Sequence, residues 1–147
     1  MVKGGLPAPM PVFQAGDLTA GLALGWGGAM LYFFKRLKLR VIWSWAGCRD
    51  AWRNEHSFRS WVWANLVSAA LALWLPLETG ERALILALGV LVLAAELFNT
   101  AIERAVDYIS EEDHPLAGQA KDAGSAGVAV TAIAAGVVWV VLLVGLV

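Results

Sequence analysis

Charge is scarce in this chain. Of its 147 residues only 16% are Asp, Glu, Lys or Arg, against roughly 25% in an ordinary soluble domain. The charges are also clustered, so whole stretches carry none, which excludes a water-soluble globule with polar side chains on every side. Cysteine is nearly absent. Cys48 stands alone, so no internal disulfide forms and no cysteine metal cluster fits within one chain. With only two histidines besides, zinc has few ligands to use. What the chain has instead is 59% hydrophobic residues and eight tryptophans. That composition belongs to a protein dissolved in lipid, with much surface at the membrane–water boundary. The net charge of −1 names no partner, and no nucleic-acid partner is expected.

Residues 1–16, with Pro7, Pro9 and Pro11, read as a disordered tail. Leu18–Phe34 is uncharged and runs into Lys35-Arg36-Leu37-Lys38. It fits a short spanning helix, an uncleaved signal-like segment, or an upstream extension, and the glycines at 16, 21, 25, 27 and 28 weaken it as a helix. From Lys35 to Ser60 the character changes. Leu37, Val41, Trp45, Cys48 and Trp52 recur at helical spacing, while Lys35, Arg49 and Arg53 lie on another side. Such a helix lies in the plane of the membrane surface. Three apolar segments follow, each near the ~20 residues a span needs.

The expected fold is therefore an all-α integral membrane protein. An amphipathic interfacial helix at 36–60 precedes three transmembrane helices at about 61–77, 83–109 and 122–146, with an extra hydrophobic helix within 1–35 left open. The polar turn 78–82 and the acidic loop 110–122 join the spans. Seven of the eleven basic residues lie between Lys35 and Arg59. The positive-inside rule then puts the 35–60 segment and the 110–122 loop on the cytoplasmic side.

The chemistry concentrates in Glu96-Leu97-Phe98-Asn99-Thr100-Ala101-Ile102-Glu103-Arg104-Ala105-Val106-Asp107. At 100° per residue, Glu96, Asn99, Glu103 and Asp107 fall within an arc of roughly 80°. Ionisable groups deep in a bilayer cost about 2.5–3.5 kcal/mol each. The lower residues of the row emerge into the headgroups on one reading, and Glu96 glues helices together on another. Stacked acids without a lysine on their face repel one another, however, and a divalent cation relieves that repulsion. Hard oxygen ligands suit Mg²⁺, which takes one or two carboxylates plus substrate phosphates. Lys121, the only lysine after Lys38, reads either as a snorkelling anchor or as a partner for phosphate. There is no GxxxxGK[ST] loop, Gly-rich kinase loop or HRD triplet.

Three motifs carry a resemblance. They are Asn54-Glu55 with Phe58-Arg59, then Glu96-x-x-Asn99-Thr100-Ala101-Ile102-Glu103-x-x-x-Asp107, then Ala120-Lys121-Asp122-x-Gly124-Ser125-Ala126. Their order and separation over about 36–147 resemble the prokaryotic diacylglycerol kinases, small three-span membrane enzymes. The resemblance implies a homotrimer in the bacterial inner membrane, with the active site facing the cytoplasm where subunits meet. By position, Glu96 is the general base toward the lipid hydroxyl, and Glu55 and Glu103 hold Mg²⁺ with ATP. Lys121, supported by Asp122, meets the nucleotide phosphates, and Glu112 and His114 approach the nucleotide. Asn99, Arg36, Ser44 and Ser125 position substrate, and Asp107 is structural. Residues 1–35 have no counterpart in the short family members, and Ala46 and Ser60-Trp61 depart from the pattern. An undecaprenol kinase is the nearest alternative. A cation path through Glu96, Asn99 and Glu103, or a structural membrane subunit, comes from a different class. ATP dependence separates the first of these, and a harmless Glu96→Gln marks the second.

Overall fold

The structure, a computed structural model, describes residues 25–110 and 112–146. The tail at 1–16 and the first part of the 18–34 segment lie outside the described residues. Four helices follow in order: α1 (Gly25–Asn54), α2 (His56–Trp74), α3 (Thr79–Ile109) and α4 (Pro115–Gly145). The chain forms two compact units, Met1–Arg49 and Asp50–Val147.

In the first unit, α1 runs through position 35 without a break, so the uncharged segment and the basic segment share one helix. Leu37, Val41 and Trp45 from the apolar stripe are all exposed. Arg36 bonds the Tyr32 hydroxyl one turn earlier at 2.9 Å and lies over its ring.

The second unit opens with a joint that the periodicity does not reveal. The segment expected as one surface helix to position 60 is divided, because Glu55 is extended at φ −107° and ψ 115°. Residues 56–60 therefore begin α2 rather than finish α1. Arg59 makes the joint tenable. Its guanidinium donates to the carbonyls of Trp52 and Arg53, both at 3.1 Å, which the end of α1 leaves without helical partners. The α2–α3 corner uses the same device. Arg82 donates to the Ala72 and Leu75 carbonyls at 3.1 and 3.2 Å.

Two other boundaries fall earlier than expected. The Glu78 N–H donates to Glu81 Oε2 at 2.7 Å, a capping box that starts α3 at Thr79 and absorbs most of the expected 78–82 turn. α4 starts at Pro115 instead of near 122. Proline suits a first turn, where its missing N–H costs nothing, and His114 Nδ1 accepts the Leu116 N–H at 3.2 Å.

Among the described residues, α3 and α4 are long and apolar enough to cross a membrane. α2 is long enough but falls short in composition: its 19 residues include His56, Arg59, Asn65 and Ser68. α3 packs against both α2 and α4, with Ala72, Leu77 and Ile85 buried together and Trp139 and Leu142 against them. By contrast, Val130, Ile133, Val137, Val140, Val141 and Val144 of α4 are each more than half exposed. A face this apolar needs lipid or protein over it.

Asn65 sets how closely α2 and α3 approach. A Cβ at Gly89 would run into Asn65 Oδ1, while Asn65 Nδ2 is tied to the Trp61 carbonyl at 2.9 Å. Gly89→Val is expected to destabilise the fold by about 1–3 kcal/mol through overpacking. Adding Asn65→Ala should recover most of that loss, as read by thermal unfolding in detergent. Equal melting temperatures for Gly89→Val and the parent would exclude the close approach.

Candidate active site on the carboxylate face of helix α3

Burial picks out the same face that the sequence pattern does. Among the described residues the buried polar side chains are Glu96, Asn99 and Thr100, with Glu96 only 4% exposed. All three lie on α3, the helix packed on two sides. Ser57, at the start of α2, lies against the Glu96 carboxylate, and the charges of Glu103 and Glu55 reach it. Glu103 on α3 and Glu55 at the α1–α2 joint both lie within electrostatic reach of Glu96.

Asn99 is the hinge of the arrangement. Its Nδ2 donates to Glu103 Oε1 at 2.9 Å. Its Oδ1 is buried without a hydrogen-bond partner, facing Gly124 of α4. A Cβ at Gly124 would collide with that oxygen and stand 3.5 Å from Ile102 Cδ1, so only glycine lets the two helices close at this level. A buried carbonyl oxygen left unpaired is costly, and it points to a ligand that donates to it or coordinates it.

Arg104 crosses from α3 to the joint, where it pairs with both Asp50 and Glu55, the latter at 2.7 Å. Lys121 pairs with Asp107, not with the Asp122 expected to support it. At the same end of α3, a surface depression of about 560 Å³ is lined by Asp107, Ser110, Glu112, His114 and Lys121. Glu112 and His114 thus share a depression with Lys121. The Nδ1 of His114 is committed to its helix cap. Asp122 and Ser125 are exposed on α4. Arg36 and Ser44 belong to the first compact unit, and the carboxylates belong to the second.

Among the described residues no group of three or more His, Cys, Asp or Glu side chains is gathered tightly enough to hold a metal by itself. The donor set still fits Mg²⁺. That ion keeps its waters and needs only one or two carboxylates beside the substrate phosphates. Carboxylates and an unpaired amide oxygen are the hard ligands it favours. A full protein cage would suit Ca²⁺ better.

Sequence reasoning gave no role to Ser57 and Gly124, which lie against Glu96 and Asn99, or to Asp50 and Arg104, which pair with each other beside the site. Arg104 follows Glu103 directly, but its target depends on where the joint places Glu55. Gly124 lay inside a quoted motif, yet its reason becomes visible only against Asn99.

A helical membrane protein with an acidic, partly buried site at one end of its long helices is the class defined so far. Comparison with known proteins narrows it. Residues 42–143 match the family described as prokaryotic diacylglycerol kinase. The chain is 41% identical to the diacylglycerol kinase of Escherichia coli K12 over 110 residues, 75% of this chain and 90% of that protein. It is 42% identical over 111 residues to the Pseudomonas aeruginosa diacylglycerol kinase, covering 76% and 90%. Against the Helicobacter pylori 26695 enzyme of that name it is 40% identical over 93 residues, covering 63% and 73%. The chain belongs to the prokaryotic diacylglycerol kinase family. The match begins inside α1, so the first part of that helix lies outside it.

Proposed function

We propose that this chain is a diacylglycerol kinase, transferring the γ-phosphoryl group of ATP to the free hydroxyl of diacylglycerol to give phosphatidic acid and ADP. The observation that carries the chemistry is the buried Glu96 on the same α3 face as Asn99, which holds Glu103 by its amide and leaves its own carbonyl oxygen unpaired. Glu96, buried on α3, takes the proton of the attacking hydroxyl. Glu103 and Glu55 would hold Mg²⁺ with the nucleotide, and the ion would supply neutralisation of phosphate charge. Asn99 orients Glu103 and offers its free oxygen to the bound group. Lys121 leaves Asp107 for the phosphates, with Glu112, His114 and Asp122 around the nucleotide. Positioning and charge neutralisation supply most of what phosphoryl transfer needs.

In this reading the chain works as a homotrimer in the bacterial inner membrane, with α3 and α4 crossing it and the more polar α2, packed on α3, completing the three spans. The amphipathic α1 lies on the cytoplasmic surface, where lipid enters sideways and Arg36 and Ser44 meet it, while Ser125 helps position substrate. The exposed apolar face of α4 supports cover by lipid or by neighbouring copies, and the basic run between Lys35 and Arg59 supports the cytoplasmic placement. Purified protein in mixed micelles, given Mg²⁺ and γ-labelled ATP, is expected to label phosphatidic acid in preference to undecaprenyl phosphate. Preference for undecaprenol would move the chain to that sister activity. No transfer to either lipid by a well-folded oligomer would leave the acidic row to a cation path.

A further inference from the structure

Arg104 takes no part in the chemistry above, yet it holds one of the site's acids. Its Nη2 donates to Glu55 Oε1 at 2.7 Å, and its Nη1 donates to Asp50 Oδ2. The other Asp50 oxygen accepts from Asn54 Nδ2 at 2.7 Å. One guanidinium therefore spans the last turn of α1 and the extended residue that follows it. The backbone of Glu55 is already secured, its N–H donating to the Ala51 carbonyl at 2.8 Å. What remains is its side chain, which sits between two helices with no neighbouring turn to restrict it.

Two roles compete for Arg104. It could tether α1 to α3, or it could aim the Glu55 carboxylate. Side-chain exposure is 49% for Arg104, 46% for Asp50 and 28% for Glu55, and ion pairs this wet contribute little to stability. Orientation is another matter. The guanidinium fork divides between the two acids, one N–H to each, and its rigid geometry sets where the Glu55 oxygen sits beside Asp50 in a way a single flexible ammonium does not. Only Oε1 of Glu55 is taken, which leaves Oε2 for a cation.

We infer that Arg104 is a positioning residue of this kinase: it fixes the Glu55 carboxylate so that its second oxygen can take the metal that accompanies the nucleotide. The inference rests on the assignment of Glu55 to that metal. Partners that hydrogen-bond a metal-ligating carboxylate typically change metal affinity by about 10–100-fold when removed. Arg104 acts through Glu55 and touches neither ATP nor lipid.

The test uses the full chain in detergent, with Mn²⁺ as a paramagnetic probe titrated in the presence of a non-hydrolysable ATP analogue. Mg²⁺ dependence of kcat and KM is measured in parallel. Arg104→Gln is expected to raise the half-saturating Mn²⁺ concentration by about 10–100-fold, with kcat at saturating metal close to the parent's. Arg104→Lys should recover part of the loss. Asp50→Ala, which breaks the tether but leaves Glu55 held, should bind Mn²⁺ like the parent. Parent-like binding by Arg104→Gln, alongside weak binding by Glu55→Gln, would overturn the inference and leave the site intact. A defect in Asp50→Ala equal to that of Arg104→Gln would overturn it in favour of the tether. Parent-like binding by Glu55→Gln would instead remove Glu55 from the metal, and the inference with it. Should Arg104→Gln not assemble, Arg104→Lys decides, since unchanged Mn²⁺ affinity there also overturns the proposal.

Discussion

Glu96→Gln is expected to lower kcat by about 10²–10⁴-fold, the usual contribution of a positioned general base, and to leave the oligomer intact. The substitution keeps the shape of a side chain that is only 4% exposed, and Ser57 can still lie against an amide. It removes a carboxylate from a buried position, where a charge is disfavoured. Stability should therefore hold or rise, because a buried charge is replaced by a neutral group. The paired measurement is turnover in mixed micelles with thermal unfolding of the same sample. Lost activity with an unchanged or higher melting temperature is the signature of a catalytic acid that costs the fold something. Full activity would remove Glu96 from the chemistry. A large fall in melting temperature would make it a structural contact between helices.

Glu103→Gln should act on the metal rather than on the proton. The amide oxygen of the new side chain can still accept from Asn99 Nδ2, which bonds Glu103 Oε1 at 2.9 Å in the parent. Local geometry is thus kept while the negative charge is lost. Removing a partner that merely orients a metal ligand costs about 10–100-fold in metal affinity, so removing the ligand's own charge should cost at least ~100-fold. The expected result is a Mg²⁺ requirement shifted upward to that extent, with the KM for ATP rising in step. A normal Mg²⁺ titration would take Glu103 out of the metal site and leave Asn99 without its proposed purpose.

The two variants should separate because the proposed mechanism gives neighbouring acids on one helix face different work. Glu96 is buried on α3 with Ser57 of α2 against it, which suits the proton transfer proposed for it. Glu103 lies nearly two turns further toward the loop end, where nucleotide phosphates have access from water. The depression lined by Asp107, Glu112, His114 and Lys121 lies at that end.

Much of this could be read from the chain alone. The scarcity of charge dictates a lipid environment, and the spacing of Glu96, Asn99, Glu103 and Asp107 puts them on one helical face whatever surrounds it. Both follow from periodicity and composition, which need no knowledge of neighbours. The three motifs, read together, pointed to the family that residues 42–143 match. Helix ends were less legible. α1 stops at Asn54, α3 starts at Thr79 and α4 starts at Pro115, and in each case local bonds by Arg59, Glu81 or His114 set the boundary. Those bonds depend on side-chain geometry that hydrophobic patterning does not encode.

The sequence by itself determined the class of protein, the acidic face of α3 and the family. Tertiary structure alone decided which residues complete that face. Glu55 joins because the chain breaks its helix there, Arg104 reaches both Glu55 and Asp50, and Lys121 pairs with Asp107 instead of its neighbour Asp122. Gly124 matters because α4 approaches Asn99 too closely for a side chain. The physical reason is one of range. Burial preference and helical phase act through the residue itself and its near neighbours in sequence, whereas an ion pair or a close helix contact depends on distances between residues far apart along the chain.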